Sequence, residues 1–253
     1  MRNLLLTLCF CGTRYHGFQV QKNALSICQV VQDALETVLG QRGEVKGCSR
    51  TDTGVHARMY CLSVRTASPI ACDKLVLALN RYLPEDVAVT ECRPVPEEFH
   101  ARYSCVGKEY VYIVHNSRAR DPFSPNLAYR YGYSLDAELL NRQAQHYLGT
   151  HDFAAFASRG GDVEDTVRHI SSFTVLRQGD RVLFTVCGSG FLYNMVRIMV
   201  GTLIYIQMGK IEPGSIPDIL LAKNRDRAGK TMPAHGLYLN RVFYEGLGEE
   251  FAP

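Results

Sequence analysis

One order of elements, strand, helix, strand, strand, helix, strand, is legible twice along this chain, and it constrains the fold more than any other feature. In the first pass Leu4–Phe10 reads as a strand. Ser26-Ile27-Cys28-Gln29 has capping-box spacing, and Ile27, Val30, Val31, Ala34, Leu35 and Val38 recur at helical period until Gly40 offers a stop. Strands at Glu44–Cys48 and Met59–Thr66 flank a polar loop, and a helix at Asp73–Leu83, ended by Pro84, precedes a strand at Val87–Cys92. After an extra strand at Lys108–His115, the pattern returns: a strand at Leu127–Tyr131, a helix at Asp136–Leu148, and strands at Val167–Leu176 and Arg181–Cys187. A helix at Phe191–Met208, a short one at Ile216–Ala222 and a last strand at Leu237–Tyr244 complete it. The expected fold is α+β: two ferredoxin-like βαββαβ units, residues 1–105 and 106–253, joined through a mixed, largely antiparallel sheet with a central active-site cleft.

Composition narrows the class. A chain of 253 residues buries enough surface to need no metal or disulfide staple, and its 46% hydrophobic content excludes disorder. Lys and Arg number 28 against 25 Asp and Glu, a net charge of +3 that permits a nucleic-acid partner without requiring one. The nine cysteines include no C-x-x-C pair, so a zinc ribbon has no ligand spacing. They read as buried thiols in a reducing compartment. Leu8 stands where a small residue would precede a cleavage site, and Met195–Met208 is too short to span a bilayer. The expectation is a soluble cytoplasmic protein with no membrane partner, no metal and no nucleotide cofactor.

The densest polar chemistry lies in Gly47-Cys48-Ser49-Arg50-Thr51-Asp52-Thr53-Gly54-Val55-His56-Ala57. The plain reading is a tight connection with Gly54 at positive φ, and on sequence physics alone it is favoured. Asp52-Thr53-Gly54 is also the aspartic-protease signature, but that chemistry needs two carboxylates sharing a proton, no second copy exists, and Arg50 opposes sharing. Ala228-Gly229-Lys230-Thr231 imitates a P-loop but has Asn224 where a glycine is required. The surrounding Lys223, Arg225, Arg227 and Lys230 read either as a solvated loop or as a phosphate-contacting patch. Tyr110 and Tyr112 share one strand face. Arg197 falls among Met195, Val196, Ile198, Met199 and Val200, where a cation needs a partner, expected to be a carboxylate.

Together these segments resemble the TruA family of tRNA pseudouridine synthases. The resemblance rests on Gly12-Thr13-Arg14-Tyr15-His16-Gly17-Phe18-Gln19, Arg50-Thr51-Asp52-Thr53-Gly54-Val55-His56-Ala57, Phe99-His100-Ala101-Arg102 and Lys108-Glu109-Tyr110-Val111-Tyr112. Gly149-Thr150-His151-Asp152-Phe153, Gly190-Phe191-Leu192-Tyr193-Asn194-Met195-Val196-Arg197 and Ala234-His235-Gly236-Leu237-Tyr238-Leu239 continue it in family order. Phe18 replaces a usual Trp, Cys11 a common Asp, and Cys48-Ser49 a small-residue pair.

The resemblance implies isomerisation of uridine to pseudouridine at positions 38, 39 and 40 of the tRNA anticodon stem-loop, by a homodimer with tRNA across both subunits and without cofactor. The N1–C1′ bond breaks, the uracil turns, and C5 bonds to C1′. Asp52 is then the catalytic carboxylate, Arg197 the residue that aims it, and Tyr110 the ring that packs on the base. A free Asp, with a pKa of about 3.9, is already ionised at pH 7, so aim matters more than deprotonation. Arg50 is placed to fill the space a flipped uridine leaves. Arg14, Arg58, Lys223, Arg225 and Arg227 are the remaining candidate RNA contacts. The rival from another class is a non-catalytic single-stranded RNA binder, but Glu109 follows Lys108 where the RNP1 pattern requires Gly.

Overall fold

The computed structural model describes residues 1–158, 160 and 164–247. In chain order these form β1 (Arg2–Phe10), α1 (Ile27–Leu39), β2 (Val45–Gly47), β3 (His56–Thr66), α2 (Cys72–Tyr82), β4 (Val87–Val95), β5 (Cys105–His115) and β6 (Tyr129–Arg130). Then come α3 (Ala137–Ala144), β7 (Gly149–Asp152), β8 (Val167–Gln178), β9 (Arg181–Gly188), α4 (Met195–Gln207), α5 (Ile216–Ala222) and β10 (Leu237–Tyr244). The fold is α+β, as expected. The chain divides into two compact units, Met1–Val106 with the last strand from Tyr238 onward, and Gly107–Leu237.

In the first unit β1 lies between β4 and β3, antiparallel to both. β2 runs antiparallel along one end of β3, pairing Val45 with Val64, and β10 runs parallel along the other, pairing Tyr238 with His56. The order β4-β1-β3-β2 is that of a ferredoxin-like unit. Leu4, Leu5, Leu6 and Leu8 are all fully buried, and because neighbours on a strand point to opposite faces, both faces of β1 are covered. That explains its unbroken apolar run. The expected caps of α1 are present: Ser26 Oγ accepts from the Gln29 N–H at 3.3 Å, and Gly40 closes the helix in the left-handed region.

In the second unit β5 pairs antiparallel with β9 from Lys108↔Gly188 to His115↔Arg181; β9 pairs with β8, and β8 with β7. The strand expected as an addition is therefore a principal member of this sheet. The segment expected as the opening strand, Leu127–Tyr131, contributes only Tyr129 and Arg130, parallel to the end of β5. The reason is local: Asn126 sits at φ 60, so the chain leaves a turn just before it reaches the sheet. The helix expected from Phe191 begins at Met195, because Asn194 adopts φ 62 and breaks the helical run. Arg197 is thus on the first turn of α4, not the second.

All nine cysteines are free thiols, but only Cys28, Cys48, Cys61 and Cys187 are buried. The expectation of buried thiols fails for the other five. Three of them stand where solvent reaches them: Cys72 opens α2, Cys105 opens β5, and Cys92 lies on β4, at the rim of its sheet. Among the described residues no helix is long and apolar enough to cross a membrane.

Candidate active site

Asp52 is held by backbone rather than by secondary structure. Gly54 takes φ 78 and the Val55 N–H donates to Asp52 O at 3.2 Å, which is the tight turn the sequence led one to expect. The turn is clasped by the segment that follows β1. Phe18 N–H donates to Thr51 O at 3.3 Å and Gly54 N–H donates to Tyr15 O at 3.2 Å. Gly12 N–H donates to His56 Nδ1 at 3.0 Å, so that nitrogen of the buried imidazole is unprotonated. The approach leaves no space for side chains: a Cβ on Gly12 would stand 1.9 Å from Val55 O, and one on Gly17, itself at φ 78, 2.2 Å from Thr51 O. On the other side Cys48 N–H donates to Cys61 O at 2.8 Å, Tyr60 Oη donates to Ser49 O, and Phe18 stacks on Tyr60 at 4.4 Å. At position 18 the ring serves packing, which Phe accomplishes in place of Trp. Asp52 is half-buried on a loop fixed at both ends.

Three of the candidate RNA contacts surround this unit. Arg50 is exposed on the loop itself. Arg14 Nε pairs with Asp86 Oδ2 at 2.7 Å, and Tyr15 Oη donates to Asp86 Oδ1 at 2.6 Å. Burial pushes the Asp86 carboxyl up, but the hydrogen bonds from Arg14 and Tyr15 outweigh it and leave its pKa lowered. Arg58 lies 5.2 Å over the Tyr238 ring and donates to Asn240 Oδ1 at 3.4 Å.

In the second unit Tyr110 is buried on β5, with Phe191 edge-on at 5.1 Å. Tyr112, on the same strand face, is fully buried and donates to Pro233 O at 2.8 Å. Burial raises its pKa, so it stays a phenol. Gly236 makes room for that ring, since a Cβ there would lie 2.6 Å from it. Arg197 donates from Nε to Met232 O at 2.6 Å and from Nη1 to Asn194 Oδ1 at 2.5 Å. These two acceptors are neutral. Asn194 in turn donates from Nδ2 to Ser158 Oγ at 2.9 Å. The sequence signal for such a role is an Asn just ahead of an apolar helix. His235, without a sequence-derived role, has its pKa lowered by burial and then by Arg197, so it is neutral at pH 7.

The P-loop imitation has a packing explanation. Segment 229–232 crosses α4 so closely that a Cβ on Gly201 would fall 1.9 Å from Lys230 O. Gly229 N–H donates to Thr202 Oγ1 at 2.8 Å and Met232 N–H to Arg197 O at 3.2 Å. Arg225 turns its guanidinium into this same loop, donating to Gly229 O at 2.9 Å and Thr231 Oγ1 at 3.2 Å. Lys223 Nζ pairs with Asp152 Oδ2 at 2.7 Å. Arg227 and Lys230 remain exposed. Two of the four cations counted as a phosphate patch therefore have intramolecular work.

Comparison with known proteins decides the family. The family model described as tRNA pseudouridine synthase matches residues 8–104 and 143–245. The chain belongs to the tRNA pseudouridine synthase family. Among curated relatives, a protein named tRNA pseudouridine synthase A from Ruminiclostridium cellulolyticum is 44% identical over 245 residues, 96% of this chain and 100% of the relative. Its counterpart in Acetivibrio thermocellus is 43% identical over 244 residues, again 96% and 100%. A solved structure, a Cbf5-Nop10-Gar1 complex, overlaps with a TM-score of 0.40 at 12% identity, covering 97% of this chain and 60% of that one. As a tRNA pseudouridine synthase the chain is an isomerase acting on tRNA uridine. The family match takes in the Asp52 loop and Arg197, whereas Tyr110 falls between its two segments.

Proposed function

We propose that this tRNA pseudouridine synthase isomerises uridine at positions 38, 39 and 40 of the anticodon stem-loop, with Asp52 as the catalytic carboxylate. Tyr110 and Arg197 complete the catalytic set. The observation that carries this reading is the Arg50-Thr51-Asp52 loop: it lies inside the family match and is clasped at both ends, so its carboxylate is presented on a fixed backbone. The reaction breaks N1–C1′, turns the uracil, joins C5 to C1′, and exchanges the C5 hydrogen for a proton now carried on N1. No atom is gained or lost, and no cofactor is required by that balance.

The remaining finer points follow the same resemblance. The enzyme works as a cytoplasmic homodimer on which one tRNA spans both subunits. Arg50 fills the space vacated by the flipped uridine. Arg14, Arg58 and Arg227 offer exposed charge to phosphates, while Lys223 is also paired with Asp152 of β7 and Arg225 also ties its own loop. The test is site mapping: an unmodified tRNA transcript is incubated with the enzyme, treated with a carbodiimide that marks pseudouridine, and read by primer extension. Stops one nucleotide 3′ of position 38, 39 or 40 support the assignment; pseudouridine confined to the D- or T-arm overturns it.

A further inference from the structure

One large apolar side chain is more exposed than any other among the described residues. It is Phe123, 93% exposed, in the segment between β5 and β6. Its loop is built to hold it there. Asp121 Oδ1 accepts from the Phe123 N–H at 2.9 Å, and the Ser124 hydroxyl donates to Asp121 Oδ2. Pro122 and Pro125 restrict φ on either side, and Leu127 N–H closes back onto Ser124 O at 3.3 Å. The loop's own hydrogen bonds hold the ring in a fixed position with its faces open to a partner.

The surroundings say which chemistry that partner has. His115 is flanked in the sheet by Arg130 of β6 and Arg181 of β9, which pairing places on one face with it. Arg130 Nη1 donates to Arg118 O at 2.9 Å, bringing the Arg118–Arg120 segment beside this row. His115 and Arg181 also lie close enough to Asp121 to help stabilise its carboxylate. Arg118, Arg120, Arg130 and Arg181 are all exposed, against Asp121 and Asp180. An exposed ring among guanidinium groups fits a nucleic acid, which supplies phosphates to the arginines and a base face to the ring. It fits an unpaired base, since a paired one has no free face.

We propose that Phe123, with Arg118, Arg120 and Arg181, forms a second tRNA-contacting surface, on which one unpaired base stacks and two or more phosphates are held. This extends the proposed function and rests on it. Phe123, Arg118 and Arg120 lie within residues 105–142, between the two segments of the family match, and Arg181 lies inside its second segment; none of the four stands in the motifs that carry the resemblance.

The experiment measures binding of a tRNA transcript, and of a fully paired RNA duplex of equal length, over a series of salt concentrations. The protein variants are Phe123→Ala and the double variant Arg118→Ala/Arg120→Ala. Phe123→Ala is expected to weaken tRNA binding by about fivefold or more, the lower end for loss of one base stack, and to leave duplex binding unchanged. The double variant is expected to reduce the salt slope by about two, roughly 0.9 for each phosphate contact. Unchanged tRNA affinity and slope in both variants, confirmed folded by their melting temperatures, would overturn the surface. So would a shift from dimer to monomer on sedimentation of Phe123→Ala with the slope retained, because the ring would then belong to self-association. Wild-type enzyme that forms no pseudouridine in the same tRNA would refute the proposed function instead, and is scored separately.

Discussion

Replacing Asn194 with glycine separates a backbone role from a side-chain role at the start of α4. Asn194 sits at φ 62, a conformation that glycine adopts at no cost, so the chain path into the helix survives the change. What disappears is the amide: the acceptor of Arg197 Nη1 at 2.5 Å and the donor to Ser158 Oγ at 2.9 Å. A hydrogen bond to a charged group is worth about 1.5–3 kcal/mol, and water at this half-buried position recovers part of it. The net loss of stability is then about 1–2 kcal/mol, or roughly 2–8 °C in Tm for a chain of this size. Turnover is more sensitive. With Nε still on Met232 O, the guanidinium keeps that tether, but its Nη1 end loses an acceptor that fixes its orientation. A displacement near 1 Å at a catalytic group costs on the order of 100-fold. The assay is single-turnover release of tritium from C5-labelled tRNA, with Tm and tRNA affinity measured in parallel. Asn194→Gly should lose about 100-fold in rate with affinity within twofold, and Asn194→Asp, which keeps an acceptor and tolerates the same φ, should recover most of it. An Asn194→Gly enzyme within threefold of wild type would refute the assignment of Asn194 as a positioning residue.

Gly17→Ala must both hold a side chain at φ 78, costing about 1–2 kcal/mol, and push Thr51 O away from a Cβ only 2.2 Å distant; a lower urea midpoint and at least tenfold slower turnover are expected, and wild-type values in both would contradict the clasp. Arg225→Ala removes the tie across segment 228–231 and should lower stability by about 1–3 kcal/mol in thermal unfolding; an unchanged Tm with a flatter salt slope for tRNA would return this residue to the phosphate patch. Because the folded pKa of Asp86 is lowered, its contribution is present above the unfolded value of about 3.9 and is lost as pH falls through the folded one. Asp86→Asn should therefore be less stable than wild type at pH 7, with the gap closing toward pH 2–3; a gap equal at both ends of urea titrations would refute the linkage.

Local rules made some of this structure legible and left other parts hidden. The α1 helix was readable from Ser26 to Gly40 because both its caps and its period lie within one short stretch. The first strand order followed from the repeated pattern, but in the second unit periodicity could not say that β5, not Leu127–Tyr131, would pair along β9, since strand partners are chosen by contacts far off in sequence. β7, a glycine followed by three polar residues, carries no apolar alternation by which a strand could be foreseen. At the site, Asp52 and Arg197 stood out as residue types in unusual company. The clasp of residues 12–18 on residues 51–56 did not, because its partners are backbone atoms, which no side-chain pattern records. Charge counting says less about Arg225 for a related reason: it registers a guanidinium without registering where its donors go.

The central claim is that Asp52 drives the isomerisation of tRNA uridine, and release of tritium from C5 tests it because that hydrogen leaves only once C5 is bonded to C1′. The measurement compares wild type with Asp52→Ala on an unmodified tRNA transcript labelled at uridine C5, with tRNA binding followed in the same samples. Wild type should release tritium stoichiometrically with the sites modified. Asp52→Ala should bind tRNA at least as tightly, since a carboxylate removed from beside phosphates removes repulsion, and release nothing above background. Release from Asp52→Ala at a measurable fraction of the wild-type rate would contradict the account.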